Sequence, residues 1–152
     1  MNKYIGVKII HAEKAIRKGG KVYAQGEAVP RTMDTVEEGY KVRYEDGYTS
    51  WSPKEVFEKA YRRFGSDKNT VTQEDVDKFI ANVEISTIGG KTTLVVATMV
   101  NGFTITESSS CVDPANYDEA MGAEICLEKI KDKLWFLLGF LLQTGIKGMN
   151  NR

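Results

Sequence analysis

The feature that most constrains this chain is an apolar stretch near its C-terminus, residues 134–142. The stretch contains no charged residue, but nine residues are too few to cross a hydrocarbon core of about 30 Å, which needs about 20. Asp113 and Pro114 are typical of a helix start, so we predict one long helix from there to about Thr144. Because its last turns are apolar on almost every side, this helix must be buried.

Apolar residues of the predicted long helix recur at spacings of three and four, which is typical of a coiled-coil seam. The rest of the chain has little material to cover this seam. We therefore predict that the helix packs against another copy and forms a homo-oligomer. Burial by the chain's own hairpin and helix is the alternative. The predicted interface residues are Leu127, Ile130, Leu134, Leu137 and Leu141.

The strongest local signal is Asn101-Gly102, because this dipeptide fits the type I′ turn of a two-residue β-hairpin. It predicts strands over 92–100 and 103–110. A two-residue turn also fixes the register, with Thr98 opposite Ile105. Before this hairpin, the capping-box-like start at 72–75 predicts a helix over about 73–83.

The N-terminal part contains short runs that predict strands. Apolar, aromatic and β-branched residues at 4–10, 21–25, 39–44 and 48–51 have the composition of strands and are separated by turn signals. The segment Ser52-Pro53-Lys54-Glu55 then predicts a helix, with Ser52 as the capping residue.

Together these elements predict an α+β fold in two parts. Residues 1–64 would form a small β-rich module that ends in a helix, and residues 70–145 a helix–hairpin–long-helix oligomerisation domain. The net charge of zero divides in a similar way, because residues 1–67 carry +3 and residues 68–152 carry −3. A balanced charge argues against a DNA or RNA polymer as the partner.

The sequence offers little for catalysis or metal binding. Its single histidine, His11, lies in or beside the first predicted strand, and Cys111 and Cys126 lack the paired spacing of zinc ligands. We therefore expect no catalytic residue, no metal and no cofactor, although Glu107 could serve a small hydrolase as a base. The two cysteines and the absence of an apolar N-terminal run predict a cytosolic protein with free thiols and no membrane partner.

Two groups of residues are candidates for binding a phosphate-containing ligand. Hydroxyls and main-chain N–H groups beside a helix start can bind phosphate, and an ordinary capped turn is the alternative. Aromatic and basic residues of the N-terminal module could stack a base, or could form a small aromatic core. The candidate ligand-binding residues are Arg43, Trp51, Thr104, Thr106, Ser108, Ser109, Ser110, Asn116 and Tyr117.

The N-terminal part resembles a module at the start of small phage and prophage proteins. The resemblance rests on Gly39-Tyr40, Asp46-Gly47-Tyr48 and the run 50–62, and it spans about residues 1–62. The segment 14–38 departs from the usual form, which contains a tryptophan there. In other proteins this module precedes domains such as the Thoeris anti-defence sponge, which traps a nucleotide immune signal.

The C-terminal part is similar to the gp-forty-nine-like family of phage accessory proteins. The motif residues are Asn101-Gly102-Phe103, the run 109–118, Gly122, Trp135 and Gly139-Phe140, and the similarity spans about residues 70–145.

These resemblances imply a phage protein in the cytoplasm of the infected host cell. Our leading hypothesis is an anti-defence binding protein, not an enzyme, that sequesters a nucleotide-derived immune signal without turnover. Such a signal could be a cyclic ADP-ribose isomer, an ADP-ribose conjugate or a cyclic oligonucleotide. The alternatives are a protein-binding accessory module, which inhibits a host protein or assists assembly, and a small hydrolase that degrades the signal.

Overall fold

A computed structural model describes residues 1–65 and 67–150 of the chain. Its helices and two antiparallel sheets confirm the α+β class. Backbone contacts divide the chain into two compact units: residues 1–63 with the end of the chain from Gly145, and Phe64–Thr144. That residues 1–64 and 70–145 behave as separate domains stays a prediction.

The first unit contains four strands and a helix: β1 (His11–Lys18), β2 (Lys21–Ala24), β3 (Val36–Arg43), β4 (Thr49–Pro53) and α1 (Lys54–Ala60). The strands form one antiparallel sheet in the order β2-β1-β3-β4. Its most deeply buried side chains are Ala15, Tyr23 and Val42.

The predicted strand at 4–10 is wrong, since residues 1–10 contain no strand and β1 begins at His11. Gly19 and Gly20 have positive φ angles of 57° and 76°, as a two-residue type I′ turn requires. Because this turn pairs Lys18 with Lys21, the strand beside β2 has to lie directly before the turn. Composition alone favoured the earlier segment, and the turn overrides it.

The predicted cap of α1 is also wrong. Ser52 and Pro53 pair with β3 as the last residues of β4, so Ser52 is extended and cannot cap the helix. Pro53 occupies the N-cap position, and no side chain caps α1.

The second unit contains α2 (Gln73–Phe79), β5 (Ile80–Ile88), β6 (Thr92–Met99), β7 (Thr104–Ser110), a 3-10 turn at Pro114–Asn116 and most of α3 (Glu119–Lys147). The strands form an antiparallel sheet in the order β5-β6-β7. The capping box of α2 is confirmed, because Thr72 Oγ1 accepts a hydrogen bond from the Asp75 N–H and the Asp75 carboxylate accepts one from the Thr72 N–H.

The predicted helix over 73–83 is too long. α2 ends at Phe79, and the chain continues without a loop into β5, which pairs along the central strand β6. Helical spacing of the apolar residues was therefore misleading at 80–83, where pairing with β6 decides the conformation. The predicted hairpin forms two adjacent strands, the central strand and one edge strand, of a three-stranded sheet.

The loop between β6 and β7 has three residues, 100–102, and not two. The Met99 N–H donates a hydrogen bond to the Phe103 carbonyl (2.7 Å), and the Gly102 N–H donates one to the Met99 carbonyl (2.9 Å). Gly102 takes a φ of 85°, the left-handed conformation that glycine adopts in the third position of such loops.

The extra loop residue overturns the predicted register. Ala97, not Thr98, lies opposite Ile105, and Val95 lies opposite Glu107. A slip of one residue exchanges the two faces of a strand. Ile105 therefore joins the core, whereas the alternate hydroxyl residues of β7 face away from it.

The long helix begins later than predicted. Tyr117 is extended and separates the 3-10 turn from α3. The Asp118 carboxylate accepts a hydrogen bond from the Met121 N–H (3.2 Å) at the start of α3.

One side of α3 packs on the sheet of the second unit. The helix comes close to β6 at Gly122, where a Cβ atom would lie only 2.1 Å from the Thr93 hydroxyl. The buried core consists of Val76, Val95, Ala97, Met99, Ile105, Ala123, Cys126, Ile130, Leu134 and Leu138.

This packing corrects the predicted interface between copies. Ile130 and Leu134 are 0% and 1% exposed within a single chain, so both belong to the chain's own core. Leu127 packs against the same core. Leu137 and Leu141 follow the same stripe beyond the core and are exposed. The alternative considered from the sequence, burial by the chain's own hairpin and helix, therefore holds for the central part of the seam.

Candidate ligand-binding site

The first unit carries a half-open pocket of about 390 Å³ on its sheet. The register places Ile16 opposite Tyr23 and Lys14 opposite Tyr40. Because alternate residues of a strand share a face, these four side chains lie on one face of the sheet. They line the pocket together with residues of the segment between β2 and β3 and with Lys54 of α1.

The charges around the pocket are not all neutralised. Lys54 Nζ lies 3.7 Å from the Glu38 carboxylate, so these two form a loose, exposed pair. In the part of the chain that the structure describes, Lys14 forms no ion pair. Its ammonium group is therefore available to an anionic group in the pocket.

Tyr40 is held in place by α1. Its ring stacks on Phe57 with a centroid distance of 4.0 Å, and its hydroxyl donates a hydrogen bond to Glu58 (2.8 Å). This hydrogen bond, together with partial burial and the negative charge of Glu58, raises the pKa of Tyr40. The ring is thus a fixed, neutral wall of the pocket against which a planar ligand could pack.

The predicted residues Arg43 and Trp51 lie on the other face of this sheet. Trp51 is paired with Lys41, two positions from Arg43. The indole lies over Gly39, where a Cβ would come within 2.6 Å of the ring, and the Arg17 guanidinium carbon lies 5.5 Å from the ring centroid. Neither predicted residue lines the pocket.

The predicted hydroxyl residues of β7 are divided between two faces. Thr104, Thr106, Ser108 and Ser110 form a row on the exposed face, and Ser109 lies on the face toward α3. The hydroxyls of Ser110 and Thr92 are 2.7 Å apart and share a hydrogen bond. The structure thus brings four of the five together, in the second unit.

Asn116 and Tyr117 do not extend this row. Asn116 ends the exposed 3-10 turn. The Tyr117 hydroxyl forms hydrogen bonds with Thr93 (2.9 Å) and Thr87 (2.7 Å), and Thr93 is buried. Tyr117 therefore ties the segment before α3 to the sheet.

Glu107 has the environment of a structural carboxylate. Its carboxylate forms an ion pair with Lys133 and accepts a hydrogen bond from it. This hydrogen bond lowers the pKa of Glu107, although desolvation acts to raise it. A carboxylate held in its charged form by a lysine is a weak proton acceptor, which disfavours its use as a general base. Within residues 1–65 and 67–150, no three His, Cys, Asp or Glu side chains are placed to hold a metal ion.

None of the nine predicted ligand-binding residues lines the pocket. Sequence reasoning missed Lys14, Ile16 and Tyr23 because it placed the first strand too early. The signal was present in the glycine pair at 19–20: a two-residue turn with Lys18 opposite Lys21 sets Ile16 opposite Tyr23 two residues further along.

The helices in the described part of the chain include none that is long and apolar enough to cross a membrane. No curated protein and no solved structure matches the chain. The family model of the Phage protein (N4 Gp49/phage Sf6 gene 66) family matches residues 71–146, which is half of the sequence and corresponds to α2, the second sheet and nearly all of α3. The chain therefore belongs to the Phage protein (N4 Gp49/phage Sf6 gene 66) family.

Proposed function

We propose that this phage protein is an anti-defence binding protein that captures a nucleotide-derived immune signal in the pocket of the first unit, without turnover, in the cytoplasm of the infected host cell. The observation that carries the proposal is the pocket itself, which combines the ring of Tyr40 with the ammonium group of Lys14. A base or nicotinamide ring can pack on a tyrosine, and a phosphate can meet a lysine.

The size of the pocket narrows the class of ligand. Small-molecule sites usually measure about 300–1,000 Å³, and this pocket of about 390 Å³ lies at the lower end. That volume favours a signal derived from a single ADP-ribose over a cyclic trinucleotide. The resemblance of residues 1–62 to the module that precedes sponge domains concerns the same unit and supports the same class.

The test is to incubate the full-length protein with a panel of ADP-ribose derivatives and cyclic oligonucleotides, remove free ligand, denature the protein and identify what is released. We expect one compound to be recovered intact. A chemically altered compound would show turnover and favour the hydrolase. Retention of no compound would overturn the proposal and favour the protein-binding module.

A matched pair of variants locates the site. Lys14→Gln removes the ammonium group from the pocket, whereas Lys41→Gln removes a lysine from the opposite face of the same sheet. We expect Lys14→Gln to weaken binding about tenfold or more, since charge-assisted hydrogen bonds are the strong ones, and Lys41→Gln to leave it unchanged. Equal effects of the two variants would place the ligand elsewhere.

A further inference from the structure

The outward side of α3 carries an apolar stripe that the second unit leaves uncovered. Met121, Ile125, Phe136 and Phe140 are 61%, 40%, 79% and 73% exposed, respectively. Their spacings are 4, 11 and 4, and eleven residues make just over three full helical turns. The four side chains therefore lie within an arc of about 100° on one side of the helix, and we call this band the outer stripe. Two phenylalanines exposed to this degree on one helix are typical of an interaction surface.

The middle of the outer stripe is charged in an ordered way. Glu128 and Asp132 are four residues apart and flank the stripe on one side, and Lys129 and Lys133 are four apart and flank it on the other. All four are exposed, although Lys133 also pairs with Glu107. The helix thus presents an acidic flank and a basic flank on either side of the outer stripe.

The charges on the two flanks determine which arrangement of two identical helices is favourable. In a parallel pair of identical helices, the left flank of one helix meets the right flank of the other, so Lys129 would face Glu128 and Asp132 of the second copy. In an antiparallel pair, like flanks meet, and acidic residues would face acidic ones. We propose that a second copy of this chain docks on the outer stripe, with the two α3 helices parallel.

The proposed contact is distinct from the seam predicted from the sequence. Ile130 and Leu134 remain in the core of each chain, and the proposed contact between copies lies on the opposite side of α3. Between Met121 and Phe140 the outer stripe runs for about 30 Å at 1.5 Å per residue. Each half of a two-fold pair contributes the same outer stripe, so the surface is self-complementary.

The first test is the mass in solution of the full chain, measured by sedimentation from about 1 to 100 µM. We expect a concentration-dependent dimer. The double variant Phe136→Ser with Phe140→Ser should be monomeric with an unchanged circular-dichroism spectrum. Val56→Ser, which removes a 62%-exposed valine from α1, is the matched control and should leave the dimer intact. A wild-type chain that stays monomeric, or a dimer insensitive to the double variant, overturns the proposal.

The second test fixes the direction. In the parallel pair, Lys129→Glu sets like charges against each other and should weaken the dimer about tenfold, and adding Asp132→Lys should restore it. In an antiparallel pair, Lys129 would face Lys133 of the second copy, so Lys129→Glu would strengthen the dimer instead.

A disulfide gives an independent reading of the direction. Gln143→Cys in a Cys111→Ser background should form a disulfide-linked dimer on mild oxidation, because parallel helices bring equivalent positions together. Failure of this variant to cross-link, in a protein that still dimerises, would contradict the parallel arrangement.

Discussion

The two units of this chain differ in the size of their buried cores. Among the described residues, the second unit buries ten apolar side chains, contributed by α2, its sheet and α3, whereas the first buries Ala15, Tyr23 and Val42, and α1 buries none. Buried apolar area is the main stabilising contribution in small domains. The second unit therefore has the larger buried core that a stable scaffold needs. The family match covers that part of the chain. The first unit, with its small core, carries the pocket.

The largest expected effect is in the core of the second unit. Ile130→Ala removes a side chain that is fully buried, and such substitutions cost about 2–5 kcal/mol of the free energy of unfolding. Leu141→Ala removes a leucine that is 38% exposed on the same helix and should cost less than half as much. Urea denaturation followed by the fluorescence of Trp135, in a Trp51→Phe background, measures both. Equal losses of the free energy of unfolding would show that Ile130 is not more important to the core than Leu141, and would contradict the burial of the two side chains.

The next test concerns the sheet of the first unit. A Cβ at Gly39 would lie 2.2 Å from the Ser52 carbonyl and 2.6 Å from the Trp51 ring, so Gly39→Ala forces β3 and β4 apart. Overpacking of this kind reduces the free energy of unfolding by about 1–3 kcal/mol or more, and this loss is enough to unfold a unit with a small core. We expect the fluorescence of Trp51, in a Trp135→Phe background, to become that of an exposed indole.

Gly6→Ala is the control for this substitution, because no atom lies within 4 Å of a Cβ at that position. It should leave the fluorescence unchanged. A Gly39→Ala variant with native Trp51 fluorescence would show that the first unit is more adaptable than its close packing implies.

The smallest effect is the acid sensitivity of the start of α2. Although desolvation acts to raise it, the pKa of Asp75 lies below its ordinary value because the N–H groups of Thr72 and Gly65 donate hydrogen bonds to its carboxylate. This contribution to stability is present above the ordinary pKa of 3.8 and is lost as the pH falls through the lowered pKa of the folded state.

Asp75→Asn should therefore reduce the free energy of unfolding by about 1 kcal/mol at pH 7, and the difference from the wild type should shrink as the pH approaches 2. Asp67→Asn, which changes an exposed carboxylate, is the control and should leave the free energy of unfolding at pH 7 unchanged. Urea denaturation at a series of pH values measures the difference. A difference between wild type and Asp75→Asn that is constant with pH would contradict the account.

Local signals in the sequence predicted those elements whose structure is decided locally. The capping box at Thr72 and the turn between the strands predicted at 39–44 and 48–51 depend on a few neighbouring residues, and each lies where it was predicted. The errors arose where tertiary pairing decides between two local possibilities. Residues 80–83 have helical spacing but pair with β6, and Asn101-Gly102 is part of a three-residue loop, which reverses the faces of β7.

The candidate site was harder to predict than the fold. Its residues come from β1, β2, β3 and α1, and each is unremarkable in the sequence. Only the register of the sheet brings Lys14 next to Tyr40, and that register depends on the position of β1. The same holds for α3, where the sequence predicts the apolar residues but the sheet determines which of them remain exposed.

The central claim is that the second unit is the stable scaffold and that the first unit, which carries the pocket, is less stable. Hydrogen exchange of the unmodified protein, followed by mass spectrometry, tests it most directly. We predict that amides in β6 and in the middle of α3 exchange at least about 100-fold more slowly than amides in β1 and β3, because the latter open without unfolding the larger core. Equal protection in the two sheets would contradict this account.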